Sequence, residues 1–87
     1  MENNKDWFVY LLRCKDNSLY CGITNNLDKR VQQHNKGKAS KYTRVRLPVV
    51  LVYYELGYDK SSALKREIII KRYRKSEKEV LISLFNQ

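Results

Sequence analysis

The sequence predicts an α+β domain built as a three-stranded antiparallel sheet flanked by helices. Two apolar, aromatic-rich runs, Trp7 to Cys14 and Leu19 to Thr24, are separated only by Lys15-Asp16-Asn17-Ser18. Strands joined by so short a turn must run antiparallel. A third run, Val49 to Leu56, is again β-branched and aromatic, and it is bracketed by stretches with helical periodicity. A small sheet covered by helices is the compact way to bury these stripes.

Trp7 to Cys14 is apolar on both faces, broken only by Arg13, which reads as a central strand. Leu19 to Thr24 reads as its returning partner. Asn25-Asn26 offers caps for a helix over Leu27 to Asn35, and Gly37 is a natural stop. Lys36 to Pro48 forms a basic connection into the third strand. Lys60-Ser61-Ser62 then caps a helix from about Ala63 to Lys75. Ser76 with Glu79 resembles a capping box that opens a last short helix through Leu84. No internal repeat appears, and residues 7–84 form the expected core of one domain. A chain of 87 residues buries about 60–65% of its unfolded surface, so the core is thin and has no room for an enclosed cofactor cavity.

Lys and Arg number 18 against 9 Asp and Glu, a net charge of +9. Such an excess points to a polyanionic partner, because each neutralised phosphate releases counterions; the alternative is a merely basic surface. Cys14 and Cys21 fall in strands and read as small, reduced core residues. The opening Met-Glu-Asn-Asn-Lys-Asp is no secretory leader, and no apolar run approaches the ~20 residues that cross a bilayer. The expectation is a cytoplasmic protein that does not engage membranes. A single histidine excludes a His-pair ribonuclease site, and two cysteines with it fall short of a zinc tetrad. Gly22, Gly37 and Gly57 form no phosphate-cradling loop.

Along the first helix, His34 falls within about 20° of Leu27, with Arg30 beside it at i, i+4. The pair serves either as a surface arginine next to a satisfied histidine or as a proton-carrying and a cationic group at the core margin. On the second helix Glu67 lies inside an apolar arc of Ala63, Leu64, Ile68 and Ile70. A carboxylate there must be partnered or metal-bound, and a Glu67–Lys71 pair explains the spacing equally well. Seven tyrosines are mostly packing, but Tyr10 and Tyr20 stand beside a strand that Gly22 leaves locally bare. They share one face only if the hairpin loop has an odd number of residues or a bulge, which is the register expected.

Phe8-Val9-Tyr10, Tyr20-Cys21-Gly22-Ile23-Thr24, Asn26-Leu27-Asp28-Lys29-Arg30, His34-Asn35 and Ala63-Leu64-Lys65-Arg66-Glu67 together resemble the GIY-YIG nuclease family. The likeness is to its small stand-alone bacterial members and runs from about Trp7 to Leu84. It implies the same three-stranded fold and a metal-dependent endonuclease acting on DNA, with branched or damaged structures as candidate substrates. Tyr10 and Tyr20 match the two motif tyrosines, Arg30 the helix arginine, His34 a histidine one turn on, and Glu67 the metal-binding glutamate. Gly22 matches the structural glycine of the second motif. Two departures stand out: Phe8 replaces the first motif's glycine, and the only asparagine after Glu67 is Asn86.

The implied chemistry uses Tyr10 as general base, made phenolate by cationic neighbours or relaying its proton to His34. Tyr20 orients water or phosphate, Arg30 clamps the scissile phosphate, and Glu67 holds Mg²⁺ or Mn²⁺. Lys36, Lys38, Lys41, Tyr42, Arg44 and Arg46 read as a nucleic-acid-binding arm that tracks the backbone, or as a solvated basic loop. The competing reading of the whole chain is a non-catalytic nucleic-acid-binding module on the same scaffold.

Overall fold

The computed structural model describes residues 5–87. The opening tetrapeptide, part of the segment read above as no leader, lies outside the described residues. The elements are β1 (Trp7–Arg13), β2 (Leu19–Thr24), α1 (Leu27–Asn35), α2 (Lys41–Arg44), β3 (Val50–Tyr58), α3 (Lys60–Lys71) and α4 (Lys75–Phe85). The sheet order is β2-β1-β3 and both pairings are antiparallel. β1 is therefore the central strand, as its two-sided apolar pattern requires. Val9 and Leu11 face a core completed by Cys21, Tyr53, Ala63, Ile70 and Ile82, under α3 and α4. Tyr10 and Leu12 face the opposite core with Cys14 and Val49, against Leu27 and Val31 of α1.

The hairpin has the odd loop that the site demands. Cys14 N donates to Ser18 O and Asn17 N to Cys14 O, both at 2.9 Å. Asn17 closes the turn with φ 71°, a left-handed conformation that asparagine tolerates better than most residues. Tyr10 thus pairs with Gly22 and Leu12 with Tyr20, so both phenol rings stand on the α1 side of the sheet.

Several boundaries differ from the sequence reading. β3 runs to Tyr58 because Gly57, at φ 95°, absorbs an extra residue between the pairs Phe8–Leu56 and Trp7–Tyr58. α3 begins at Lys60, since the carboxylate of Asp59 accepts from Ser62 N at 2.8 Å; Lys60-Ser61-Ser62 lies inside the helix rather than capping it. It ends at Lys71, and α4 opens at Lys75, where Glu77 accepts from Arg74 N at 2.8 Å. The expected Ser76–Glu79 capping box does not form. Glu79 is instead drawn to Arg13, at 2.6 and 2.8 Å, and to Lys75 at 2.9 Å. Inside the basic connection, Ser40 caps a single helical turn, α2, by accepting from Tyr42 N at 3.1 Å. The apolar arc on α3 is narrower than predicted: Ala63 and Ile70 are buried, while Leu64 and Ile68 are 41% and 51% exposed. The inward stripe is Ala63, Glu67, Ile70.

On β3, Glu55 binds the α3 side of the sheet together. It accepts from Arg66 Nε and Nη2 at 2.8 and 2.9 Å, from Tyr58 Oη at 2.7 Å, and from Tyr53 Oη. Burial alone would raise its pKa, but these donors outweigh it and hold the carboxyl down at about 2. A folded-state value below the unfolded one stabilises above about pH 4.5, and that contribution is lost as pH falls toward 2. Urea titrations should therefore show stability falling between pH 4.5 and 2, with Glu55→Gln less stable at pH 7 and flatter across that window. Parallel pH profiles for parent and variant are the outcome that rejects this assignment.

Candidate active site

Tyr10 lies at the middle of β1 and is 2% exposed. Its ring packs on the bare backbone of Gly22: a Cβ there would fall 2.5 Å from Tyr10 Oη and 2.7 Å from Cζ. Any side chain at Gly22 would displace the phenol, so the glycine is a close-approach residue.

His34 reaches the phenol from the last turn of α1. Asn26 sets the start of that helix by accepting from Lys29 N at 3.1 Å. Asn35 fixes its end with a two-way clasp to Val49, Oδ1 accepting from Val49 N at 2.7 Å and Nδ2 donating to Val49 O at 3.0 Å. The result is a buried chain: Tyr10 Oη lies 2.8 Å from His34 Nε2, and His34 Nδ1 lies 2.8 Å from Thr43 Oγ1. Thr43 Oγ1 donates onward to Ser40 O at 3.4 Å, so it accepts from His34 Nδ1–H. That tautomer leaves a lone pair on Nε2 for the phenol proton.

Burial raises the Tyr10 phenol well above its usual range, and the lowering effect of Arg30 does not overcome it. Of the two expected routes, a phenolate held by cationic neighbours and a relay to His34, the free protein favours the second: Tyr10 is a neutral phenol beside a neutral imidazole. Burial first, then the Arg30 charge, pushes His34 down to about 4.

Tyr20 is half-buried, its ring centroid 5.1 Å from His34, 6.5 Å from Tyr10 and 6.1 Å from Tyr42, on which it stacks. Arg30 is half-buried one turn before His34 and lines a polar recess with Thr24, Asn26, Lys29 and Gln33. Glu67 approaches β2 from the other side of the sheet, on the inward stripe of α3, its side chain 15% exposed. Its charge raises both Tyr10 and Cys21. Lys71 Nζ sits 3.5 Å from Glu67 Oε2, so the i, i+4 pair is present as well. The structure thus joins Tyr10, Tyr20 and His34 in direct contact, while Arg30 and Glu67 act on Tyr10 through their fields. Among the described residues no three His, Cys, Asp or Glu side chains cluster as metal ligands. A lone carboxylate suits a hard ion such as Mg²⁺, which keeps most of its water, rather than a transition metal.

The basic segment divides. Lys38, Lys41 and Arg44 are exposed, and Lys36 ends α1. Arg46 instead spans inward: its guanidinium lies 3.8 Å over the Tyr42 ring, Nε binds Asp16 Oδ2 at 3.0 Å, and Nη1 donates to Tyr42 O at 2.8 Å. Tyr42 is held between Arg46 and Tyr20. Thr43 and Asn35 are the positioning residues that helical spacing did not single out. Ser40 offered a cap signal for the turn that carries Thr43, whereas the clasp from Asn35 is a tertiary contact without a local signature. Phe8, at the place of the first motif's glycine, packs edge-on to Tyr54 at 5.9 Å. Asn86 caps the C-terminus of α4.

This sheet, with its tyrosine pair against a helix-borne arginine and histidine and a glutamate from the opposite side, is a GIY-YIG domain. The family model described as the GIY-YIG catalytic domain matches residues 6–79, and the chain belongs to that nuclease family. It is 53% identical over 76 residues to the UPF0213 protein CPE1444 of Clostridium perfringens, covering 87% of this chain and 82% of that one. The UPF0213 protein SH2523 of Staphylococcus haemolyticus is 49% identical over 75 residues, covering 86% and 92%. Among solved structures, the solution NMR structure of EF2693 from E. faecalis superposes with a TM-score of 0.62 at 35% identity, covering 99% of this chain and 92% of that one. That of the UPF0213 protein BH0048 from Bacillus halodurans gives 0.57 at 41% identity, covering 90% and 83%.

Two measurements check the buried chain. Gly22→Ala should cost about 1–3 kcal/mol in urea unfolding, the range for overpacking a filled site; an unchanged midpoint would show that the phenol has room to move. Nitrogen NMR should find His34 neutral with its proton on Nδ1 down to about pH 5, titrating near 4. Its stabilising contribution is complete above the ordinary pKa of 6.5 and is lost as pH falls through about 4.

Proposed function

We propose that this protein is a metal-dependent endonuclease that hydrolyses phosphodiester bonds, with DNA as its substrate and a preference for branched or damaged forms. The observation that carries the reading is the Tyr10–His34–Thr43 chain. A purely structural tyrosine needs one partner, whereas here an imidazole bridges the phenol and a threonine hydroxyl, and with its proton on Nδ1 it can receive the phenol's proton.

Attack requires a water to lose a proton. Water passes it to the Tyr10 oxygen as the phenol's own proton moves to His34 Nε2. The hydroxide so formed attacks phosphorus, and the bond to the departing sugar oxygen breaks. A neutral His34 with a depressed pKa is a weak acceptor in the free protein. The negative charge of a bound phosphate raises its proton affinity, so the relay strengthens when substrate is present. Arg30 clamps the scissile phosphate through its planar fork, and Tyr20, against both His34 and Tyr42, orients the water or the phosphate. Glu67 would hold Mg²⁺ or Mn²⁺, which when bound would supply Lewis-acid stabilisation of the leaving oxygen. Lys36, Lys38, Lys41 and Arg44 hold the backbone nearby without reading bases. The family membership and the net charge of +9 both support a nucleic-acid partner, and no helix among the described residues is long and apolar enough to cross a membrane.

The test is nicking of duplex, flap, junction and single-stranded DNA with Mg²⁺ or Mn²⁺. Tyr10→Phe, His34→Ala and Glu67→Ala should each lower the rate by about 10²-fold or more, with DNA binding retained. Persistent binding without cutting on every substrate would favour the non-catalytic module. In that case the absence of any asparagine between Glu67 and Asn86 is the sequence feature to restore first.

A further inference from the structure

The relay lies on the α1 side of the sheet, and the free edge of β2 carries a second feature whose two lysines the chemistry above leaves unused. A cleft runs between Leu19, Tyr20 and Cys21 of β2, the ring of Tyr42, and Lys71 and Lys78 from α3 and α4. Resting on the proposed nuclease reading, we propose that this cleft seats the backbone phosphate one nucleotide away from the scissile one, with Lys71 and Lys78 as its cationic jaws.

Four observations converge here. The charges of Lys71 and Lys78 both lower the Cys21 thiol against the raising effect of its burial, so two helices deliver ammonium groups to one point on the strand. Lys78 makes no ion pair among the described residues, and the partner of Lys71 is Glu67 at 3.5 Å, a separation that leaves donors to spare. The far wall is rigid, since Tyr42 is stacked on Tyr20, covered by the Arg46 guanidinium and tied through it to Asp16. Finally, Tyr20 is two strand residues from Gly22, on which the Tyr10 phenol packs, a spacing of about 7 Å. That is the length scale of one step along a nucleic-acid backbone.

The same geometry says what the cleft does not read. The Tyr42 ring is already engaged by Tyr20 and the Arg46 guanidinium, and ammonium groups distinguish no sequence. The strand would enter past Arg30, cross the sheet edge at Gly22 and leave between the lysines. Lys71 stands between the two centres, close enough to Glu67 to neutralise it in the free protein and placed to turn to phosphate when a metal ion takes the carboxylate.

The experiment is fluorescence anisotropy of labelled duplex and single-stranded oligonucleotides in EDTA, over a range of salt, which reads binding without cleavage. Lys78→Gln and Lys71→Gln should each weaken binding three- to tenfold, equally on unrelated sequences, and lower the log–log salt slope by about 1. Lys78→Arg should restore both, and Lys65→Gln on the exposed face of α3 should change neither. Backbone amides of Leu19 and Cys21 should shift on titration with a short phosphodiester, confirming the location in the folded parent protein. A parent that binds while Lys78→Gln keeps its affinity and slope overturns the cleft, as does a parent that binds no nucleic acid. A lysine-dependent slope without any nicking upholds the cleft and rejects cleavage instead.

Discussion

The Tyr10 ring packs directly on the bare backbone of Gly22, and this contact constrains both sides of the sheet. It requires the hairpin to place residue 10 opposite residue 22, which in turn requires an odd turn closed by Asn17 in the left-handed region. It also buries the phenol so fully that the only partner for its proton is His34 Nε2. The helix that supplies His34 must then be held at both ends, by Asn26 at its start and by the Asn35–Val49 clasp at its finish. Tautomer, helix position and loop length are consequences of one contact.

Much of this was legible in the chain because it depends on local rules. β1 announces itself as central by being apolar on both faces, and the parity argument for Tyr10 and Tyr20 follows from strand geometry alone. Helical spacing brought Arg30 and His34 to one edge. Other features were hidden because they are settled by tertiary competition. Glu79 has the spacing of a capping residue for Ser76, yet Arg13 on β1 offers it two charged hydrogen bonds and wins. Leu64 and Ile68 look like core by composition, but the helix turns so that Glu67 shares the inward stripe with Ala63 and Ile70. Arg46 looks like one more cation of the basic loop until its partners, Asp16 and Tyr42, are seen. The choice between a phenolate and a relayed proton at Tyr10 was open for the same reason: sequence shows the neighbouring charges but not the depth of burial that outweighs them.

The distribution of charge follows a division of labour. Arg13, Arg46 and Arg66 are spent on carboxylates that pin the hairpin to α4, α2 to the turn, and α3 to β3. These are guanidinium pairs, as planar two-point contacts favour. The cations left to meet a polyanion are mostly lysines, together with Arg30, Arg44, Arg72 and Arg74. Lysine is the better choice there, since a mobile ammonium can follow a phosphate backbone without dictating its orientation.

Because β2 is an edge strand, with Arg30, His34 and Tyr10 on one side and Glu67 on the other, the reactive groups are gathered around a single thickness of backbone. Outer strands open more readily than central ones. Detachment of those six residues would remove Tyr20 and the Gly22 surface on which Tyr10 packs, while β1, β3 and most of the hydrophobic interior stay intact. The geometry of the site is thus less durable than the fold, and heating would loosen it before the sheet melts.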